Sequence, residues 1–223
     1  RARDAEAAFR TVLAFDPDHP EALWSLGVLA RERGDLAAAV EALTRAARLA
    51  PRETVVWFDL ALAQARSGDH AGGREAAARA LKLQPDSADV HALLAEIEIA
   101  AGNGAAALAA AQRVLKLRPE FAPTYTLFGA ACAAAGRLAD AEAAFRRALA
   151  LAPGDLNATI HLANALRDQG RPAEAEALYR EVLARAPDAV EVIAHLGDIC
   201  LAMGRVDEAE QAYRDAVWRR RDF

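Results

Sequence analysis

Cysteine, serine and aromatic residues are scarce in this chain of 223 residues, and each scarcity excludes something. The two cysteines, Cys132 and Cys200, stand 68 positions apart. A disulfide needs Cα atoms within about 7 Å, and the periodicity described below puts these two in separate units. They read as small core hydrophobes, which leaves the redox compartment open. The serines Ser25, Ser67 and Ser87 stand in no GxSxG setting, and no GxxxxGK[ST], HExxH or CxxC string occurs. Nucleophilic, phosphate-cradling and zinc-type chemistry therefore lack their usual residues. Aromatics make up only 6%, and alanine dominates the apolar fraction, which suits close-packed helices better than a β-sandwich.

Long apolar runs are missing too. None reaches the roughly 18–20 residues that a membrane-spanning helix requires. The start, Arg1-Ala2-Arg3-Asp4-Ala5, has no apolar h-region, so no signal peptide is visible. The reading is a soluble chain, with the cytoplasm favoured and the compartment left open. A net charge of -5, from 27 basic and 32 acidic residues, argues against a nucleic-acid backbone as the partner. With 54% hydrophobic residues, the chain is long enough to bury a core unaided.

What the sequence has in abundance is repetition. Pro17, Pro51, Pro85, Pro119, Pro153 and Pro187 recur every 34 residues, as do Gly34, Gly68, Gly102, Gly136, Gly170 and Gly204. Leu26, Leu60, Leu94, Phe128, Leu162 and Leu196 keep the same step, and so do the small residues Ala39, Gly73, Ala107, Ala141, Ala175 and Ala209. Each unit reads as two helices. Leu23, Leu26, Gly27 and Ala30 form the i, i+3, i+4, i+7 stripe of the first. Gly34 ends it, because glycine accepts the left-handed conformation without a Cβ penalty. Asp35, Asp69 and Asn103 are placed to cap the second helix. That helix turns Ala39, Leu43 and Ala46 inward before Pro51 closes the unit.

These residues resemble the tetratricopeptide repeat, with its Trp-x2-Leu-Gly-x2-Tyr, Ala-x3-Phe, Ala and Pro positions. The fourth unit matches as Tyr125, Phe128, Gly129, Cys132, Ala141, Phe145, Ala148 and Pro153, and the second as Trp57, Leu60, Ala61, Gly73, Ala80 and Pro85. The sixth keeps Leu196, Gly197, Ala209, Tyr213 and Ala216 but has Arg221 in place of the closing proline. The resemblance is to bacterial-type arrays and covers the whole chain. It implies an all-α, right-handed α-solenoid of antiparallel helix pairs, a single domain over 1–223. A half-repeat at 1–19 precedes six full units at 20–53, 54–87, 88–121, 122–155, 156–189 and 190–223.

Two departures are expected to matter. Ala77 and Ala111 stand where the family prefers an aromatic residue, and Gly72 and Gly73 lie inside a helix, where each glycine costs about 1 kcal/mol against alanine. Units two and three should therefore be the softest. At the ends, Phe9, Val12, Leu13 and Phe15 have no first helix to cover them, and the last helix closes on the basic cluster Trp218-Arg219-Arg220-Arg221. Those cations are read as complementing the helix dipole. The ends read as a piece of a longer protein.

Glu6/Arg10, Glu41/Arg45, Glu75/Arg79, Glu142/Arg146, Glu176/Arg180 and Glu210/Arg214 are i,i+4 pairs in second helices, worth about 0.2–0.5 kcal/mol each. They read as a solvated outer face. Function belongs on the first helices, which the resemblance places along an inner concave groove. The positions it implies there are Trp24, Val28, Phe58, Leu62, Leu93, Ile99 and Leu127, then Asn157, His161, Asn164, Arg167, Asp168, His195 and Asp198. Large apolar residues beside an already filled core suggest an apolar groove for a partner. His161, His195 and Asp198 could in principle hold a metal, but hydrogen bonding to an extended peptide is favoured, and no metal or cofactor is assigned. The carboxylate-clamp lysines and the asparagine ladder of two subfamilies are both missing. The expectation is a non-catalytic scaffold binding a peptide or helix of a protein partner. The alternatives are the recruiting or regulatory arm of a larger enzyme, such as a transferase, and a scaffold that self-associates through uncapped ends.

Overall fold

A computed structural model describes residues 2–221 of the chain. Among the described residues all regular structure is helical, in thirteen helices. They fall into two compact units, Arg1–Leu117 and Arg118–Phe223. The first holds α1 (Ala2–Phe15), α2 (Pro20–Glu32), α3 (Leu36–Leu49), α4 (Thr54–Arg66), α5 (His70–Leu83), α6 (Ala88–Ala100) and α7 (Gly104–Leu117). The second holds α8 (Ala122–Ala134), α9 (Leu138–Leu151), α10 (Leu156–Asp168), α11 (Pro172–Arg185), α12 (Val190–Ala202) and α13 (Val206–Arg221). From α2 onward the helices pack as sequential antiparallel pairs, α2 with α3 through α12 with α13. Every first helix begins 34 residues after the one before it.

Backbone chemistry sets this register. Gly34 and Gly68 sit at φ +81° and +85°, where any Cβ is strained. The turn glycine is therefore required by geometry. Asp35 then accepts from the Ala38 amide at 3.2 Å and Asp69 from the Gly72 amide at 2.9 Å, as their positions predict. Asn103 departs from that expectation. Its amide donates to Glu98 Oε2 at 2.8 Å, because Glu98 is a buried carboxylate that needs donors.

Close approach within a pair depends on complementary sizes. A Cβ on Gly27 would lie 2.6 Å from Leu43, one on Gly129 2.5 Å from Phe145, and one on Gly197 2.8 Å from Tyr213. In units two and three both members of the pair are alanine. Ala61 and Ala95 replace the glycine, Ala77 and Ala111 replace the large partner, and all four are fully buried. Gly73 also serves packing, since a Cβ there would meet the Ala61 carbonyl at 3.2 Å and Ile97 Cδ1 at 3.3 Å. Helix α5 nevertheless buries only Gly73, Ala76, Ala77 and Ala80, whereas α9 adds Phe145 to its alanines. Amide hydrogen exchange should therefore run faster over 70–82 than over 139–150. Equal protection in the two segments would remove that argument.

The series Leu26, Leu60, Leu94, Phe128, Leu162 and Leu196 is not uniformly buried. Leu60 and Leu162 are buried at 4% exposure, while the other four are half-buried. Val90, Val192, Ile97 and Ile199 on the first helices lie deeper, at 0–2% exposure. Cys132 and Cys200 are both free and buried, and burial pushes both thiols up. At the start of the chain Val12 and Phe15 are exposed, but Phe9 is half-buried and Leu13 packs against the core. Trp218 is exposed, and Arg219 is held by Asp215 at 2.8 Å and Asp188 at 2.5 Å. The side chain of Arg221 lies outside the described residues.

The outer-face glutamates are not all solvated. Glu75 and Glu210 are solvated, but the side chains of Glu6, Glu142 and Glu176 are only 12–14% exposed. Each of these three is gripped by two arginines. Glu142 pairs with Arg146 at 2.8 Å and Arg171 at 2.7 Å, and Glu176 with Arg180 at 2.7 Å and Arg205 at 2.6 Å. Glu6 pairs with Arg10 and Arg33. The second arginine arrives from the following helix pair, which fills the space that water would otherwise occupy. Burial pushes the Glu142 carboxyl up, but hydrogen bonds from Arg146 and Gln169 and the charges of Arg171 and Arg146 outweigh it, leaving it below the ordinary value. A depressed carboxyl contributes stability above its unfolded pKa of about 4.3 and loses it as the pH falls through the folded value. Melting temperatures of the chain should fall as the pH drops below about 4.3, and Glu142→Gln should flatten that fall. Identical acid profiles for both chains would show that the network carries no linkage.

Candidate functional site

On the face of the first unit built by α2, α4 and α6, a buried carboxylate organises the surface. Asp59 is 7% exposed. The Trp24 indole Nε1–H donates to its Oδ2 at 2.7 Å, and Arg31 pairs with its Oδ1 at 2.9 Å. An unpaired carboxylate at that depth would be costly, so the three side chains fix one another, and the Trp24 ring is held in one orientation. Two depressions lie on this face, and Trp24 lines the smaller of them. One, of about 320 Å³, is lined by Pro20, Glu21, Trp24, Ala50, Glu53, Val55 and Val56. The other, of about 520 Å³, is lined by Phe58 and Val90 with Arg52, Glu53, Thr54, Val55, Gln84, Ser87 and Asp89. Glu53 and Val55 border both. Val28, Phe58, Leu62 and Ile99 are half-buried. Leu93 is 4% exposed and belongs to the core cluster, so it packs the interior and offers no surface.

The second unit is built differently. Leu127 is half-buried and Asn157 exposed. His161 stacks on Phe145 with ring centroids 5.4 Å apart, and His195 on Tyr179 at 5.7 Å. Burial lowers the His161 pKa against the opposing charge of Asp155, so its imidazole is neutral at pH 7. Asn164 Oδ1 accepts from the Tyr179 hydroxyl, and Asp198 Oδ1 accepts from Tyr213 at 2.6 Å. The Tyr179 phenol is pushed up to about 12, mainly by burial, and that of Tyr213 to about 12, mainly by its bond to Asp198. Arg167 pairs with Asp168 at 2.9 Å and reaches His195 Nδ1 at 3.5 Å, while His195 lies 3.7 Å from Asp198. These polar groups are engaged with one another inside the unit. Among the described residues no three His, Cys, Asp or Glu side chains are grouped to hold a metal.

Models of the tetratricopeptide repeat match residues 30–97 and 166–222, residues 1–54, and residues 120–188. The chain is a tetratricopeptide repeat protein. Among solved structures, a tetratricopeptide repeat protein from Parabacteroides merdae is similar at 17% identity and a TM-score of 0.85, over 96% of this chain and 85% of that one. PilW, described as a type IV pilus biogenesis factor, is similar at 19% identity and a TM-score of 0.76, over 86% and 90%. A third, from Thermus thermophilus, shares 24% identity at a TM-score of 0.67, over 82% and 99%. At such identities these likenesses concern the fold. No curated protein matches the chain.

Tetratricopeptide repeats typically mediate protein–protein contacts and are generally non-catalytic. Among the described residues no helix is long and apolar enough to cross a membrane. Against this family frame, the sequence reading missed Val55, which is 45% exposed between the two depressions, and the Trp24–Asp59–Arg31 cluster. It also missed why Asn164 and Asp198 are polar. Each stands 15 residues before a tyrosine that donates to it, whereas Val28 and Leu62 stand 15 before Leu43 and Ala77. A polar residue 15 positions before a tyrosine was the available signal.

Proposed function

We propose that this tetratricopeptide repeat protein is a non-catalytic scaffold that binds a peptide or helix of a partner protein on its α2–α4–α6 face. One observation carries the reading: exposed Val55 and half-buried Phe58 line adjoining depressions beside an already packed core. Apolar surface grouped in this way marks a site of association. Val28 and Leu62 extend the apolar surface on the same helices. In the second unit, Leu127, His161, Asn164, Arg167, His195 and Asp198 make a more polar face whose groups are largely satisfied internally, so it contributes less binding energy.

The test begins with a partner recovered by affinity capture and mass spectrometry, then titrated calorimetrically. Phe58→Ala should weaken binding by about 1–3 kcal/mol while leaving the helical circular dichroism unchanged. Glu75→Ala, on α5 with its side chain 76% exposed, should leave binding intact. Normal binding by Phe58→Ala together with loss in Glu75→Ala would move the site to the second-helix face and end this reading.

A further inference from the structure

The two depressions differ in chemistry. The smaller one has an apolar floor of Trp24, Val56, Ala50 and Pro20, and the ionisable groups lining it are two carboxylates, Glu21 and Glu53. Arg31 does not line this depression, and its charge is paired with that of Asp59 at 2.9 Å. Arg52 lines only the larger neighbour. Glu53 is the N-cap residue of α4, yet its side chain makes no capping bond, so its carboxylate is not used by the helix it precedes. Glu21 and Glu53 are both exposed at the rim.

An apolar floor under an anionic rim matches a side chain that is itself apolar along its stem and cationic at its tip. The aromatic face of Trp24 adds attraction for a cation, and the bond to Asp59 holds that face in place. We infer that the Trp24 pocket seats a lysine or arginine side chain of the partner protein, with an adjacent apolar residue of the same segment against Phe58. This rests on the α2–α4–α6 face being the binding surface. The partner is therefore a cationic, amphipathic protein segment, and its association weakens as salt screens the rim.

Selection of a random-sequence peptide library on the full chain tests this without knowledge of the natural partner. Enriched peptides should carry Lys or Arg next to an aliphatic or aromatic residue. For a synthetic peptide of the enriched sequence, Glu53→Gln should raise Kd about two- to five-fold, the range of an exposed ion pair. Replacing the peptide's lysine or arginine by norleucine should produce a similar loss, and Glu53→Gln should then have no further effect on the norleucine peptide. Enriched peptides without a cation, or equal effects of Glu53→Gln on the cationic and norleucine peptides, would overturn the inference. If Phe58→Ala still weakens those peptides, the binding face itself stands. Failure of both Phe58→Ala and Glu53→Gln to alter binding, or failure to enrich any peptide, would count against the face as well.

Discussion

Phe145→Ala should destabilise the second unit by about 3–5 kcal/mol in denaturant melts. The ring is 1% exposed and fills the space that Gly129 leaves by having no Cβ, which would otherwise lie 2.5 Å from it. It also carries the stacked imidazole of His161 at 5.4 Å. Truncation removes the ring from both neighbours at once. Gly129 has no side chain with which to collapse into the gap, so most of the cavity persists and the cost falls at the upper end of the range. Two further readouts follow from the same geometry. The His161 imidazole loses its apolar cover, and its pKa should rise back toward the ordinary value. Adding Gly129→Ala to Phe145→Ala should recover part of the loss, because a methyl group then occupies empty space; in the parent chain the same methyl would clash with the ring. A loss below about 1 kcal/mol would show that the ring is not packed as described.

The helix boundaries were legible because they are backbone requirements. Gly34 needs positive φ, Asp35 and Asp69 cap, and a proline follows every second helix except α13, all local demands written at a fixed step. The size pairing inside a helix pair was half legible. Ala77 reads as a missing aromatic until Ala61 is read with it, since two small residues close the gap that a glycine and a ring close elsewhere. Glu142 and Glu176 were misread for a different reason. Each has a local i,i+4 arginine, which satisfies a reading based on one helix. The second arginine, Arg171 or Arg205, stands 29 residues onward, and that distance becomes contact only after neighbouring pairs stack.

On the candidate face, the family's groove positions include Trp24 and Phe58, and each lines one of the depressions. The role of Asp59 was not legible. It depends on a tryptophan 35 positions earlier, one repeat plus one residue. Leu93 shows the opposite failure. A groove position carries a large apolar residue, and size alone does not say whether it turns outward for a partner or sinks between helices. The decision belongs to the second helix behind it. In the second unit the equivalent residue, His161, rests on Phe145 and stays half-buried. In the first unit the residue equivalent to Phe145 is Ala77, and both Ala77 and Leu93 lie in one core cluster.

Leu162→Ala should cost about 2–5 kcal/mol, and Leu94→Ala, two repeats earlier at the same register, should cost clearly less. Register alone makes the two equivalent, so the difference isolates what packing adds. Leu162 is 4% exposed in α10, where its neighbour His161 is occupied in stacking and contributes a polar ring to the surface. In α6 the deep position has passed to Leu93 at 4%, with Ile97 at 1% one turn on, and Leu94 is left half-buried at the edge of the cluster. Burial removes about 25 cal/mol per Å² of apolar surface from water, so a half-buried leucine forfeits less on truncation. Its cavity is also open to solvent on one side, which removes part of the void penalty. Leu93→Ala should then fall in the same 2–5 kcal/mol range as Leu162→Ala. Denaturant melts of the three single variants decide the matter. Equal losses for Leu94→Ala and Leu93→Ala would mean that the two side chains share the interior of α6, and that the deep position is not exchanged between them.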